Sequence, residues 1–233
     1  MEFDEWEPVY EAILRDFGYD RAGDERGRDR LAALLESSFD PADCSAIRDA
    51  TVAVAGAGPS LETASELERA RDADLVIAAS TAVDTLAAHD IAVDCMVTDL
   101  DKNPETVEDL TAAGVPVAVH AHGDNLEAIR AVVPNCDHRY VLPTTQAEPT
   151  ERVRNFGGFT DGDRAAFLAD HFGAGRLAFV GWDFDDSSVG PAKARKLEWA
   201  ERLLAWLESR RDEHFAVLDG RRDAIEADAL PLG

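Results

Sequence analysis

The chain has 233 residues, 45% of them hydrophobic, with 47 Asp plus Glu against 23 Lys plus Arg and a formal net charge of −24. Length and apolar share allow one large domain or two small ones and exclude disorder by composition. The acidic balance argues against nucleic acid and anionic membrane surfaces as partners, and no apolar run approaches the roughly 18 residues of a membrane span.

Residues 2–17 carry Phe3, Trp6, Val9, Tyr10, Ile13, Leu14 and Phe17 at helical spacing. A second helical stretch over 24–36 brings Leu31, Leu34 and Leu35, and Pro41 and Asp43 then mark a loop. Residues 1–45 are thus expected to form a helical extension, its apolar first helix suited to a dimer interface as much as to a core. From Thr51 the pattern changes to short apolar runs: 51–55, 75–79, 93–98, 115–119, 139–142 and 176–180. Helices are expected between them, from Ser60, over 82–88, after Pro104, over 125–132 and over 163–172, and a long one over 192–211. This alternation predicts an α/β unit over 46–233, a mostly parallel, doubly wound, Rossmann-like sheet with helices on both faces.

Only three basic residues are lysines, Lys102, Lys193 and Lys196; the other twenty are arginines. Abundant carboxylate with scarce lysine reads as a surface adapted to high salt, because net charge governs solubility rather than fold. Cys44, Cys95 and Cys136 are too scattered for a disulfide framework or zinc site, and the acidic start is not that of a signal peptide. A reduced, cytoplasmic setting is expected.

Ligands of open α/β sheets bind beyond the carboxyl ends of the strands, and five polar clusters fall there. The first is Gly56-Ala57-Gly58-Pro59-Ser60, where glycines and a helix N-terminus could receive a phosphate and Ser60 could cap the helix; a plain tight turn is the alternative. A dinucleotide fingerprint is incomplete, since Leu61 stands where its third glycine belongs, and Ala79, Ser80 and Thr81 stand where a ribose-binding acid belongs; a methyltransferase stays open on this motif. The second, Thr98-Asp99-Leu100-Asp101, brings two carboxylates that can share Mg²⁺, which takes one or two carboxylates plus substrate phosphates.

In the third, His120-Ala121-His122-Gly123-Asp124-Asn125, the alternating histidines point the same way in an extended segment. They could join on a metal, although zinc would need further ligands; contacts to a phosphate or base are the other use, with Asp124 or Asn125 capping the next helix. The fourth, Asn155 to Arg164, is a glycine-rich loop able to close over a flat ring, and includes Gly158, Thr160, Asp161 and Asp163, the last three also placed to cap a helix. The fifth is Gly181-Trp182-Asp183-Phe184. Lys193 and Lys196, three apart on one helix, are point charges suited to phosphate, or else partners for Glu198 or Asp186.

Together these segments are similar to one known family. Gly-Ala-Gly-Pro-Ser-Leu-Glu at 56–62, Thr-Asp-Leu-Asp at 98–101, His-Ala-His-Gly-Asp-Asn at 120–125, Gly-Gly-Phe-Thr-Asp-Gly-Asp-Arg at 157–164, Gly-Trp-Asp-Phe at 181–184 and Lys-Leu at 196–197 resemble the archaeal 6-hydroxymethyl-7,8-dihydropterin pyrophosphokinases, in register over about residues 50–205. The Asp99–Asp101 segment is also distantly similar to the Gly-Asp-Phe-Asp-Ser motif of thiamine pyrophosphokinases, with Thr98 for its Gly and Lys102 for its Ser.

The resemblance implies that ATP and a hydroxymethyl pterin give AMP and the pterin diphosphate, with Mg²⁺, in tetrahydromethanopterin or folate biosynthesis. It implies Asp99 and Asp101 as metal ligands. His122, Asp124 and Asn125 would meet substrate or complete the metal shell, Gly56 to Ser60 and His120 would meet nucleotide or substrate, and the loop with Asp161 and Asp163 would close over the site. Lys193 and Lys196 would neutralise the transferred phosphate. Transfer to another alcohol such as thiamine, or nucleotide binding without catalysis, are the alternatives.

Overall fold

In the computed structural model, residues 1–225, 230 and 231 are described. The last positions of the expected α/β unit, 226–229 and 232–233, lie outside the described residues. Six strands form one sheet: β1 (Thr51–Ala55), β2 (Leu75–Ala79), β3 (Cys95–Thr98), β4 (Val117–Ala121), β5 (Val141–Thr145) and β6 (Arg176–Val180). All pairings are parallel, in the order β5-β4-β3-β2-β1-β6. The chain winds outward from β1 to β5 and returns on the far side of β1. The winding therefore reverses between β1 and β6, where an α/β sheet opens a crevice.

The helices are α1 (Phe3–Phe17), α2 (Arg21–Leu34), α3 (Ala64–Arg71), α4 (Ala82–Ala88), α5 (Pro104–Ala112), α6 (Leu126–Val132), α7 (Asp161–His171) and α8 (Pro191–Arg211). Successive strand residues point to opposite faces, so two cores form. Val52, Val54, Ile77 and Val97 join Trp6, Val9, Tyr10, Phe167, Leu203 and Leu207 of α1, α7 and α8. Ala53, Ala55, Ala78 and Val119 join Leu31, Leu67, Leu86, Val107 and Ile129 of α2 to α6. The sheet is the expected doubly wound one. The apolar stripe of α1 lies wholly in the first core, with Trp6, Val9 and Tyr10 at 0% exposure. No helix among the described residues is long and apolar enough to cross a membrane.

Several boundaries differ from expectation for local reasons. Asp20 accepts from the Ala22 N–H at 3.2 Å and starts α2 three residues early. After β1, Pro59–Glu62 forms a 3-10 turn and the α-helix begins only at Ala64. Asp137 caps a 3-10 turn over 138–140, so Arg139 and Tyr140 precede β5 instead of opening it. Strand β4 starts two residues late because its pairing with β3 begins at Val117.

Candidate active site

A cavity of about 780 Å³ opens at the carboxyl end of the sheet, beside the β1–β6 reversal. The ends of β1, β2, β3 and β6 line it, with the starts of α7 and α8 and the turn between α1 and α2. Among the sequence-predicted residues it is lined by Gly56, Gly58, Asp99, Asp101, His122, Asp124, Thr160, Asp161, Asp183, Lys193 and Lys196. Lys102 lines it too, so every lysine of the chain faces this cavity. Among the described residues none of the three makes an ion pair; Lys196 sits over the Phe159 ring, 5.7 Å from its centroid.

The acid pair follows β3 in a strained turn. Leu100 has φ +66 and donates its N–H to Thr98 Oγ1 at 3.0 Å, and the Asp101 N–H lies 3.3 Å from Asp99 Oδ1. A bulky residue with positive φ is a genuine outlier, and such strain clusters at functional sites. Burial alone would raise the Asp99 pKa, but the His122 hydrogen bond, the charge of Arg164 and a hydrogen bond with Asp101 together hold it well below the usual range. Burial, and then Asp99, raise Asp101. Asp161 is pushed up to about 7 by burial and by the Asp99 charge, against Arg164. Three carboxylates thus crowd one wall, and burial and then the Asp99 charge raise the other two.

His122 accepts the Asp124 N–H on Nδ1 at 3.3 Å, so its neutral ring carries the proton on Nε2, 3.5 Å from Asp99 Oδ2. Asn125 is a brace: Nδ2 donates to the Asp99 and His120 carbonyls, both at 2.7 Å, and Oδ1 accepts from the His122 N–H at 3.0 Å. It is 6% exposed and does not line the cavity.

His120 lies inside β4, not after it. Thr144 Oγ1 donates to the Val119 carbonyl and therefore accepts from His120 Nδ1 at 3.1 Å. Burial, and then Arg164, keep His120 neutral, with its pKa far below the ordinary value. The two histidine rings stand 6.4 Å apart with different partners, and among the described residues no group of three or more His, Cys, Asp or Glu is arranged to hold a metal. Of the two uses the histidines left open, a joint metal site is not formed among the described residues.

The glycine turn after β1 is closed by the protein itself. Gly56 N–H donates to the Val180 carbonyl at 2.9 Å, Gly58 N–H to the Gly181 carbonyl at 2.9 Å, and Ser60 N–H to Asp183 Oδ2 at 2.9 Å. Pro59 has no N–H, which leaves Ala57, at the cavity wall, as the one residue of 56–60 whose amide the described residues do not take up. Ser60 caps neither the 3-10 turn nor α3, and Pro59 and Ser60 do not line the cavity. A Cβ on Gly58 would stand 2.4 Å from Asp183 Oδ2 and 2.7 Å from the Gly181 carbonyl, and the backbone contact is what requires glycine there.

The loop before α7 divides similarly. Asp163 is fully buried and accepts from the Phe159 and Thr160 N–H groups at 2.8 and 2.7 Å, making a capping box with Thr160. Gly158 packs on the Arg164 backbone, where a Cβ would come within 2.6 Å. Neither lines the cavity.

Sequence reasoning did not single out Arg164, Gln146 or Asp24, yet they connect the site to the N-terminal helices. Arg164 donates to Asp161 Oδ1 at 3.1 Å and to Gln146 Oε1 at 3.3 Å. Gln146 donates to Asp24 at 2.8 Å, and Asp24 also accepts from Tyr10 Oη at 2.8 Å and from the Gly123 N–H at 2.9 Å. Arg164 ended a quoted motif and was visible as its one cation; the Asp24 network joins residues about 100 positions apart and left no local signal.

A family model described as MptE-like 6-hydroxymethylpterin diphosphokinase matches residues 29–188. The chain is 41% identical over 232 residues to a 6-hydroxymethyl-7,8-dihydropterin pyrophosphokinase of Methanothermobacter thermautotrophicus, covering 91% of this chain and 97% of that protein. Proteins of the same name from Pyrococcus furiosus and Methanocaldococcus jannaschii are 37% and 34% identical, over 90% and 92% of this chain and 95% and 99% of theirs. With the fold, the acid pair and the lysine-lined cavity in place, the chain belongs to the MptE-like 6-hydroxymethylpterin diphosphokinase family.

Proposed function

We propose that this chain transfers the pyrophosphoryl group of ATP to the hydroxyl of 6-hydroxymethyl-7,8-dihydropterin, releasing AMP. The alcohol oxygen bonds to the β-phosphorus, and its proton is lost. The bond from that phosphorus to the oxygen bridging to the α-phosphorus breaks, and that oxygen leaves on AMP. The product fits a place in tetrahydromethanopterin or folate biosynthesis. The relatives' names supply the acceptor, and one observation in the structure supports the chemistry: among the described residues, all three lysines of a lysine-poor chain stand without ion pairs around one cavity that also holds an acid pair.

The donor set suits Mg²⁺. Asp99 and Asp101 are hard oxygen ligands crowded together, and burial, then Asp99, raise Asp101. Mg²⁺ bound there would neutralise phosphate charge and align the reacting groups. His122 faces the same carboxylate, its Nε2 3.5 Å from Asp99 Oδ2. Lys193, Lys196 and Lys102 would take the polyphosphate, which needs positive charge more than covalent help. Arg164 orients Asp161 at the wall.

The reading is tested by incubating the chain in molar KCl with Mg·ATP and the pterin, with thiamine as a second acceptor, and separating nucleotides by chromatography. AMP that depends on the pterin and disappears with EDTA is the expected result. AMP with thiamine alone would move the substrate assignment, and ADP would place attack at the γ-phosphorus.

A further inference from the structure

Two side chains of the cavity wall, one after β2 and one after β6, have no part in the phosphate chemistry above. Ser80, directly after β2, lines the cavity, is 8% exposed, and has a hydroxyl with no hydrogen-bond partner. Its φ is +50, a left-handed conformation that costs a non-glycine residue energy. A buried hydroxyl left unpaired is unfavourable unless something binds it. Asp183 also lines the cavity; Oδ2 is fixed by the Ser60 N–H, and among the described residues that is the one hydrogen bond its carboxylate makes. The amides of Gly56, Gly58 and Ser60 are all taken, and what Asp183 offers a ligand here is a carboxylate. It suits a neutral group rich in N–H or O–H donors.

We propose that Asp183 and Ser80 form the subsite for the aminopyrimidinone edge of the pterin, an inference that rests on the activity proposed above. That edge presents its amino group, its ring N–H and its ring carbonyl in a row. A carboxylate accepts from the two adjacent donors, and a serine hydroxyl donates to the carbonyl. Adenine has no such edge, since its exocyclic amine lies beside an acceptor nitrogen. The placement also suits the reaction. Strand β2 pairs with β3 and the Ser80 N–H donates to the Val97 carbonyl at 2.9 Å, so the serine stands beside the strand that leads into Asp99 and Asp101.

The test is titration calorimetry in molar KCl with two separate probes, 6-hydroxymethyl-7,8-dihydropterin and the Mg complex of α,β-methylene-ATP, on the unaltered chain, Asp183→Asn and Ser80→Gly. Glycine tolerates φ +50, so Ser80→Gly should melt no lower than the unaltered chain while losing only the hydroxyl. Each variant should weaken pterin binding about tenfold, the scale of one buried hydrogen bond, and leave nucleotide binding unchanged. A folded Ser80→Gly that binds the pterin normally, or either variant losing the nucleotide instead, overturns the subsite. If Asp183→Asn does not fold, Ser80→Gly decides alone. An unaltered chain that binds the nucleotide but no pterin overturns the activity reading and the subsite together, and is thereby distinguished from a failure of the subsite alone.

Discussion

The cations at the back of α8 and those in the cavity are used in opposite ways. Arg211 donates to Asp170 and Glu213 at 2.8 and 2.7 Å and to the Ala174 carbonyl at 2.8 Å, with 10% of its side chain exposed. Arg222 is held by Glu208, Asp219 and the Phe215 carbonyl, and Arg221 by Glu201 and Asp185. Arginine's planar fork suits such fixed, multidentate pairing. Lys102, Lys193 and Lys196, by contrast, are compact charges on flexible stems without a carboxylate partner among the described residues. In a chain with twice as many acids as bases, a cation that no carboxylate pairs among the described residues is available to an anionic ligand.

This contrast separates variants that cost activity from variants that cost stability. The largest effect belongs to the acid pair: Asp99→Asn should lower the rate of AMP formation about a thousandfold, with the fold intact. A folded Asp99→Asn near the normal rate would remove this pair from the chemistry. Lys196→Ala and Lys193→Ala should each lower kcat/KM for ATP about a hundredfold, again with little change in melting. Arg211→Ala should do the reverse. It leaves Asp170 and Glu213 without their shared cation, and should destabilise the fold by about 2–3 kcal/mol, lowering Tm by roughly 5–10 °C, with kcat preserved. Arg139→Ala is the smallest case: its partner Asp137 is on the surface, and neither melting nor turnover should move measurably. Loss of catalysis in Arg211→Ala at a temperature where it is folded would collapse the distinction.

The sheet was legible because each buried parallel strand is a short continuous apolar run, and Arg176–Val180 matches its expected bounds. The ends of β4 and β5 were not, because the register with a neighbour decides where pairing starts. The cavity side of Asp99, Asp101, His122 and the lysines followed from their place after strands or at a helix start. Asp163, Asn125 and His120 sit in the same motifs but face inward, as a cap, a brace and a strand residue. Motif membership alone does not separate those uses. The closing of the glycine turn depends on Asp183, 123 residues from Ser60, and no local pattern announces it. The N-terminal helices read as an extension, yet Tyr19, Asp20 and Gly23 line the cavity, because Asp24 is tied to Gln146 and Gly123 across the sheet's end.

The most direct measurement is the rate of pterin-dependent AMP formation beside the melting temperature, for the unaltered chain, Lys196→Ala and Arg211→Ala, in molar KCl with and without EDTA. The account predicts AMP from the unaltered chain only when Mg²⁺ is present. It predicts a folded but nearly inactive Lys196→Ala, and an active but less stable Arg211→Ala. ADP in place of AMP, or a Lys196→Ala variant that turns over normally, would contradict it.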